Sequence, residues 1–370
     1  MEKNMNERER VLAVLKGQKP DRIPWFADLD YWIAYLNTEN RMPDRYKNRQ
    51  GVYQLSRDLG AGFYLQGYFP FREIHEYEEK VETQGNQRIT RVTTPYGELR
   101  QVEAWLPDSF CWSWPENFVK SWRDLKALSY MFAHTFYQPD YQLGADRYEW
   151  IGDNGIVLCY LPRSPFMMMA VLLAGIETVS FALADAPDEF EETMAVLTGN
   201  LDMASELALH SPAECLMIPD NISSEMVGKK LYARYVRPFH ERWVKRIREA
   251  GKISCVHVDG TLKGLVREIS DAGFDFIEAM TPHPVGDLPV EEWTNWVNEK
   301  VVMWGGIPGG HFTDLISDED FDAFVIRVLK TMTTEPRYVL GVADQVPPCS
   351  RRERIARVRT LVDRYGGYSG

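Results

Sequence analysis

Eight short apolar runs, mostly separated by stretches of helical period, constrain this chain more than any other feature. They fall at 23–28, 62–67, 156–161, 215–220, 253–259, 274–279, 301–306 and 338–343. Most are continuously apolar rather than alternating, which is the pattern of parallel strands covered on both faces. Helical patterns at 52–59, 166–184, 188–209, 232–250, 262–272, 321–332 and 351–365 occupy most of the intervals. Several of them stop at a glycine, as helices commonly do. At the start of the chain, Asn6 and Glu9 stand in capping-box positions and Gly17 closes a first helix. Eight β/α units with mostly short connections predict an α/β fold, a (β/α)₈ TIM barrel forming one domain over residues 1–370.

One stretch breaks the rhythm. Residues 88–106 alternate like a β-hairpin turning at Pro95-Tyr96-Gly97, and Trp105, Trp112, Trp114 and Trp122 crowd its end and the segment after it. This predicts a β-hairpin and tryptophan-rich insertion, about 85–150, between the second and third strands. Its expected place is over part of the barrel mouth, where it would bear on substrate selection.

Charge narrows the partners. With 42 basic and 54 acidic residues the net charge is -12, a field that repels polyanions and disfavours nucleic acid or an anionic membrane. The cysteines, Cys111, Cys159, Cys215, Cys255 and Cys349, are few, odd in number and not closely paired, so no disulfide scaffold is expected. The first residues are charged and carry no leader-like apolar stretch, and the longest apolar segment, 166–174, is too short to span a bilayer. A cytoplasmic location is the expectation.

In a barrel the chemistry gathers where the strands end. Those ends supply Asp28, Arg163, Asp220 with Asn221, His257 with Asp259, Glu278, Trp304 and Asp344. His257 and Asp259 are two residues apart on an extended segment and so project to one side. Carboxylates packed together cannot all stay ionised unassisted. Either a divalent metal gathers them, or they share protons and pair with Arg163 as an acid/base site. Asp28, Asp220 and Glu278 are the candidate catalytic carboxyls. Arg163, Asn221 and Trp304 are the candidate substrate contacts.

The segment CVHVDGTLKGLVREISDAGFDFIEAMTPHPVGDL, then VVMWGGIP, then YVLGVADQVPP, resembles the C-terminal half of the uroporphyrinogen decarboxylase superfamily. The opening RERVLAVLKGQKPDRIPWFAD is similar to that superfamily's start. The resemblance covers nearly the whole chain apart from the tryptophan-rich insertion. In true uroporphyrinogen decarboxylases two arginines after the opening proline grip substrate carboxylates. Here that stretch, Trp25-Phe26-Ala27-Asp28-Leu29-Asp30-Tyr31-Trp32, has none, which argues against a tetrapyrrole with many acid groups. The corrinoid-dependent zinc methyltransferase branch carries His-x-Cys-Gly after the fifth strand and a further Cys after the eighth. Those positions match His257, Asp259 and Asp344, with both thiolates replaced by carboxylates.

The resemblance thus implies a divalent metal, zinc in the relatives, held by His257, Asp259 and Asp344. It further implies a homodimer and a corrinoid carried by a partner protein that takes a methyl group from a small-molecule donor. A carboxylate-rich site is harder and less suited to activating a thiol, which leaves oxygen- or nitrogen-bound methyl groups as donors. Two alternatives stand beside it. One is a metal-free decarboxylase of a smaller acid, with Asp28 or Asp220 moving the proton and Arg163 receiving the carboxylate. The other is a barrel that only binds a small molecule.

Overall fold

The computed structural model describes residues 5–64 and 68–368. Fourteen strands are present among them: β1 (Trp25–Ala27), β2 (Gly62–Phe63), β3 (Phe71–His75), β4 (Glu78–Gln84), β5 (Gln87–Thr94), β6 (Gly97–Leu106) and β7 (Cys111–Glu116). The remainder are β8 (Thr135–Pro139), β9 (Leu158–Tyr160), β10 (Cys215–Ile222), β11 (Ile253–Val258), β12 (Phe276–Met280), β13 (Val302–Pro308) and β14 (Tyr338–Ala343). Eight of them form one parallel sheet in the order β2-β1-β14-β13-β12-β11-β10-β9. The sheet curls until its edges meet, where an isolated parallel bridge joins Phe63 to Gly155. The result is a TIM-like barrel whose eight strands are those read from the sequence. The end of the second expected strand, including Gln66 and Gly67, lies outside the described residues.

Two apolar clusters account for the layers. The barrel interior holds Phe26, Cys215, Met217, Cys255, Phe276, Val302, Trp304 and Val339, together with Val11 and Val14 from the first helix. That helix, Glu7–Leu15, carries the expected capping box from Asn6 and Glu9, and plugs one end of the barrel. Leu216, Ile218, Val256, Val258 and Ile277 face outward into the larger cluster shared with the surrounding helices. Alternate residues of each strand therefore serve opposite layers, as the pleat requires. Gly341 leaves room for the Trp304 indole, because a Cβ there would sit 2.6 Å from the ring.

The helix expected over 166–184 is two helices. A helical segment Pro165–Leu173, ending in a π-turn from Met169, and the helix Ile176–Asp185 are bent by 119° across Gly175, whose φ of 81° a helix cannot continue through. No single helix among the described residues is long and apolar enough to cross a membrane. All five cysteines are free, and Cys159, Cys215 and Cys255 are buried.

The inserted sheets occupy 71–139. β3 and β8 pair antiparallel at the base, and β4-β5-β6-β7 form an antiparallel meander beyond them. The expected hairpin is β5 and β6, closing with Thr94 opposite Gly97. At the far tip, the Phe110 ring meets Tyr35 edge-on at 5.7 Å, so the insertion reaches the helix Asp30–Thr38 that comes after β1.

Candidate active site

His257 and Glu278 are direct neighbours across the β11–β12 pairing, and both come two positions after interior residues, Cys255 and Phe276. The register therefore brings imidazole and carboxylate together inside the mouth. His257 Nδ1 donates to Glu278 Oε2 at 2.6 Å, and His257 Nε2 faces Asp344 Oδ1 at 3.8 Å. Burial alone would lower the imidazole pKa, but Glu278, with help from Asp344 and Asp259, holds it up at about 9. Burial raises the Glu278 carboxyl while His257 pulls it back.

Asp344 gets its direction from the backbone. Its φ of 72° is a left-handed conformation rare for a non-glycine residue, and Asn221 and Ala279 share it at the ends of β10 and β12. Such strain at three barrel strand ends is the kind that collects at functional sites. The Asp344 side chain is 45 % exposed to the mouth but has protein on its other sides. That burial lifts its pKa, His257 lowers it and Asp259 raises it, for a net rise.

Asp28 lies two positions after the interior residue Phe26 and is buried. Its Oδ1 accepts from the Asp30 amide at 3.0 Å, while Oδ2 is buried with no hydrogen-bond partner. Burial, then Asp30, Asp344 and Glu278, push its pKa well above the usual carboxylate value. On the other flank, Arg163 donates to Asn221 Oδ1 at 2.8 Å and to the Pro219 carbonyl, and Asn221 Nδ2 reaches Asp259 Oδ2 at 3.4 Å. Arg163 thus holds Asn221 and Asp259 in place rather than standing free at the mouth.

The structure puts two of the sequence candidates elsewhere. Asp220 shares the outward parity of Leu216 and Ile218 and is fully buried against the helix layer. Its oxygens accept from the Ser164 amide at 2.7 Å, the Ser164 hydroxyl at 2.8 Å and His240 Nε2 at 2.7 Å. It ties three elements together and does not face the mouth. Trp304 lies below the site, 1 % exposed, with its ring centroid 5.1 Å from Phe26, 5.1 Å from Tyr64 and 5.2 Å from Phe276. It forms a floor of the barrel interior.

Tyr31, just beyond the end of the first strand, is not among the site residues chosen from the sequence. Burial first, then the charges of Asp344, Cys111, Asp28 and Asp259, raise its hydroxyl to about 12. Its position three residues past Asp28 was the available signal. The Trp25–Trp32 segment itself is packed into the fold: Trp25 and Trp32 are buried, and Trp32 Nε1 donates to the Ser350 carbonyl at 3.1 Å.

As placed, no three His, Cys, Asp or Glu side chains among the described residues are gathered tightly enough to hold an ion. The donor set nonetheless suits one. The 3.8 Å between His257 Nε2 and Asp344 Oδ1 is too long for a hydrogen bond. Two ligands of one tetrahedral zinc, with bonds of ~2.1 Å, stand ~3.4 Å apart, a spacing close to that of His257 Nε2 and Asp344 Oδ1. Glu278 already fixes the ring, as carboxylates do behind metal-binding histidines.

The family profile described as uroporphyrinogen decarboxylase (URO-D) matches residues 155–365, more than half of the chain. The chain belongs to the uroporphyrinogen decarboxylase family. No curated protein matches it significantly. Among solved structures, a methyltransferase from Methanosarcina mazei superposes with a TM-score of 0.61 at 12% identity, over 98% of this chain and 99% of that one. At that identity the likeness is one of fold. Within the uroporphyrinogen decarboxylase match lie β9 through β14 and every member of the cluster except Asp28 and Tyr31.

Proposed function

We propose that this uroporphyrinogen decarboxylase-family barrel is a methyl-transferring enzyme in which His257, Asp259 and Asp344 receive a divalent ion, taken as zinc from the resembled methyltransferase branch. The observation that carries the reading is His257 itself: Nδ1 is held by Glu278 at 2.6 Å, and Nε2 faces Asp344 across a gap wider than a hydrogen bond. The fold likeness to a methyltransferase and the His-x-Asp-Gly sequence at the end of β11 support it.

When bound, the ion supplies Lewis acidity at the oxygen or nitrogen that carries the methyl group. The chain's own residues do the rest. Glu278 orients the imidazole. Arg163 and Asn221 hold Asp259. Asp28, its pKa raised by burial, stands ready to protonate the heteroatom once its bond to methyl breaks. The methyl acceptor is a reduced corrinoid carried by a partner protein at the barrel mouth, and Tyr31 and the insertion tip bound the space above the donor.

The test uses free cob(I)alamin as acceptor and aryl methyl ethers and methylamines as donors, with zinc-loaded and chelator-treated protein. The expected result is zinc-dependent conversion of the cob(I)alamin spectrum to that of methylcobalamin, lost in His257→Ala. Carbon dioxide release from small aromatic acids by chelator-treated protein, with no methylcobalamin formed from any donor, would overturn the reading in favour of a metal-free lyase.

A further inference from the structure

Between the inserted sheets and the neighbouring helices lies a half-open chamber of about 710 Å³, the size of an ordinary small-molecule site. None of His257, Asp259, Glu278 or Asp344 lines it. Every odd-numbered residue from Phe69 to Val81 does, so one run of β3 and β4 devotes a whole face to it. Along that run Phe71 meets Tyr137 edge-on at 5.2 Å, and His75 stacks on Tyr77 at 4.8 Å. Thr90, Trp114 and the π-turn residue Leu172 line the other sides, and Pro162, next to Arg163, brings it beside the barrel mouth.

The charges of the wall do not cancel. Glu103 is paired with Arg88 at 2.6 Å. Glu73 and Glu79 both hold the single ring of His75, at 3.2 and 2.9 Å. Even with that imidazole protonated, the chamber keeps one negative charge in excess, among aromatic faces that attract cations.

We propose that this chamber is a second binding site, for a flat and largely apolar organic molecule carrying one positively charged nitrogen. The ring system of the ligand lies against Phe71, Trp114 and Tyr137, and its cationic end lies at Glu73 and Glu79. The site is separate from the carboxylate–imidazole cluster and does not depend on what that cluster catalyses.

The experiment is calorimetric titration of the full chain with benzyltrimethylammonium, benzyl alcohol and phenylacetate, which share a ring and differ in charge. Saturable binding of the cation, about tenfold tighter than the neutral probe and tighter still than the anion, is the expected order. Glu73→Gln with Glu79→Gln removes the cation's advantage while sparing the alcohol. Thr90→Trp, which fills the chamber, weakens both, and Phe71→Leu serves if that variant misfolds. His257→Ala leaves all three affinities unchanged. Equal affinities for the three probes, no saturable binding of the cation, or loss of binding in His257→Ala with the chamber variants silent would each overturn the proposal.

Discussion

His257 and Glu278 sit opposite one another in the β11–β12 register, and the 2.6 Å bond between them fixes which imidazole nitrogen faces the barrel mouth. Nδ1 is committed to Glu278, so Nε2 points at Asp344. Glu278→Gln keeps the shape but removes the carboxylate behind the ring. Zinc affinity, measured by competition with a fluorescent chelator, should fall about 10–100-fold. An unchanged affinity would mean that His257 is not a ligand.

Asp220 and Asp259 offer a contrast between neighbouring strand ends. Asp220 is fully buried and receives three hydrogen bonds from Ser164 and His240, so Asp220→Ala should cost about 3–5 kcal/mol in denaturant unfolding. Asp259 is half-open in the mouth, and its carboxylate accepts from the adjacent Gly260 amide at 3.0 Å and weakly from Asn221 at 3.4 Å. Asp259→Ala should leave stability within about 1 kcal/mol and abolish zinc binding. The reverse pattern would exchange their roles.

His75 should make the insertion sensitive to pH. Its hydrogen bond with Glu73, with a further contribution from Glu79, raises the imidazole pKa to about 8 against a cost from burial. A histidine whose folded pKa lies above its unfolded value adds stability fully below about 6.5, and loses it as pH climbs through the folded value. The difference in melting temperature between the native chain and His75→Gln should therefore be present at pH 6 and vanish by pH 9. A difference that grows with pH would contradict the pairing.

The closed end of the barrel depends on Glu7. Its Oε1 accepts from Arg10 at 2.9 Å, Arg22 at 2.6 Å and Arg359 at 3.0 Å, joining the plugging helix to both chain ends of the barrel. Glu7→Ala leaves the two buried guanidiniums without their shared anion and should cost about 3–5 kcal/mol by chemical denaturation. A loss below 1 kcal/mol would show that Asp21 and Asp363 suffice.

The sequence by itself determined the eight strands, their order, the capped first helix and the hairpin, because periodicity, glycine stops and turn residues act locally. It also brought His257, Asp259, Glu278 and Asp344 to one end of the barrel, since that end is set by strand direction. It could not say which strand-end side chains face inward. A parallel strand covered on both faces has no polar alternation, so nothing in 215–220 separates Asp220 from its inward neighbours. Only the closed sheet decided that Asp220 belongs to the helix layer and Trp304 to the barrel floor. The tertiary structure alone likewise set His257 against Glu278, through the register of two strands 21 residues apart, and turned Asp344 into the mouth through a left-handed backbone. Those relations depend on distant chain segments meeting, and no local pattern carries them.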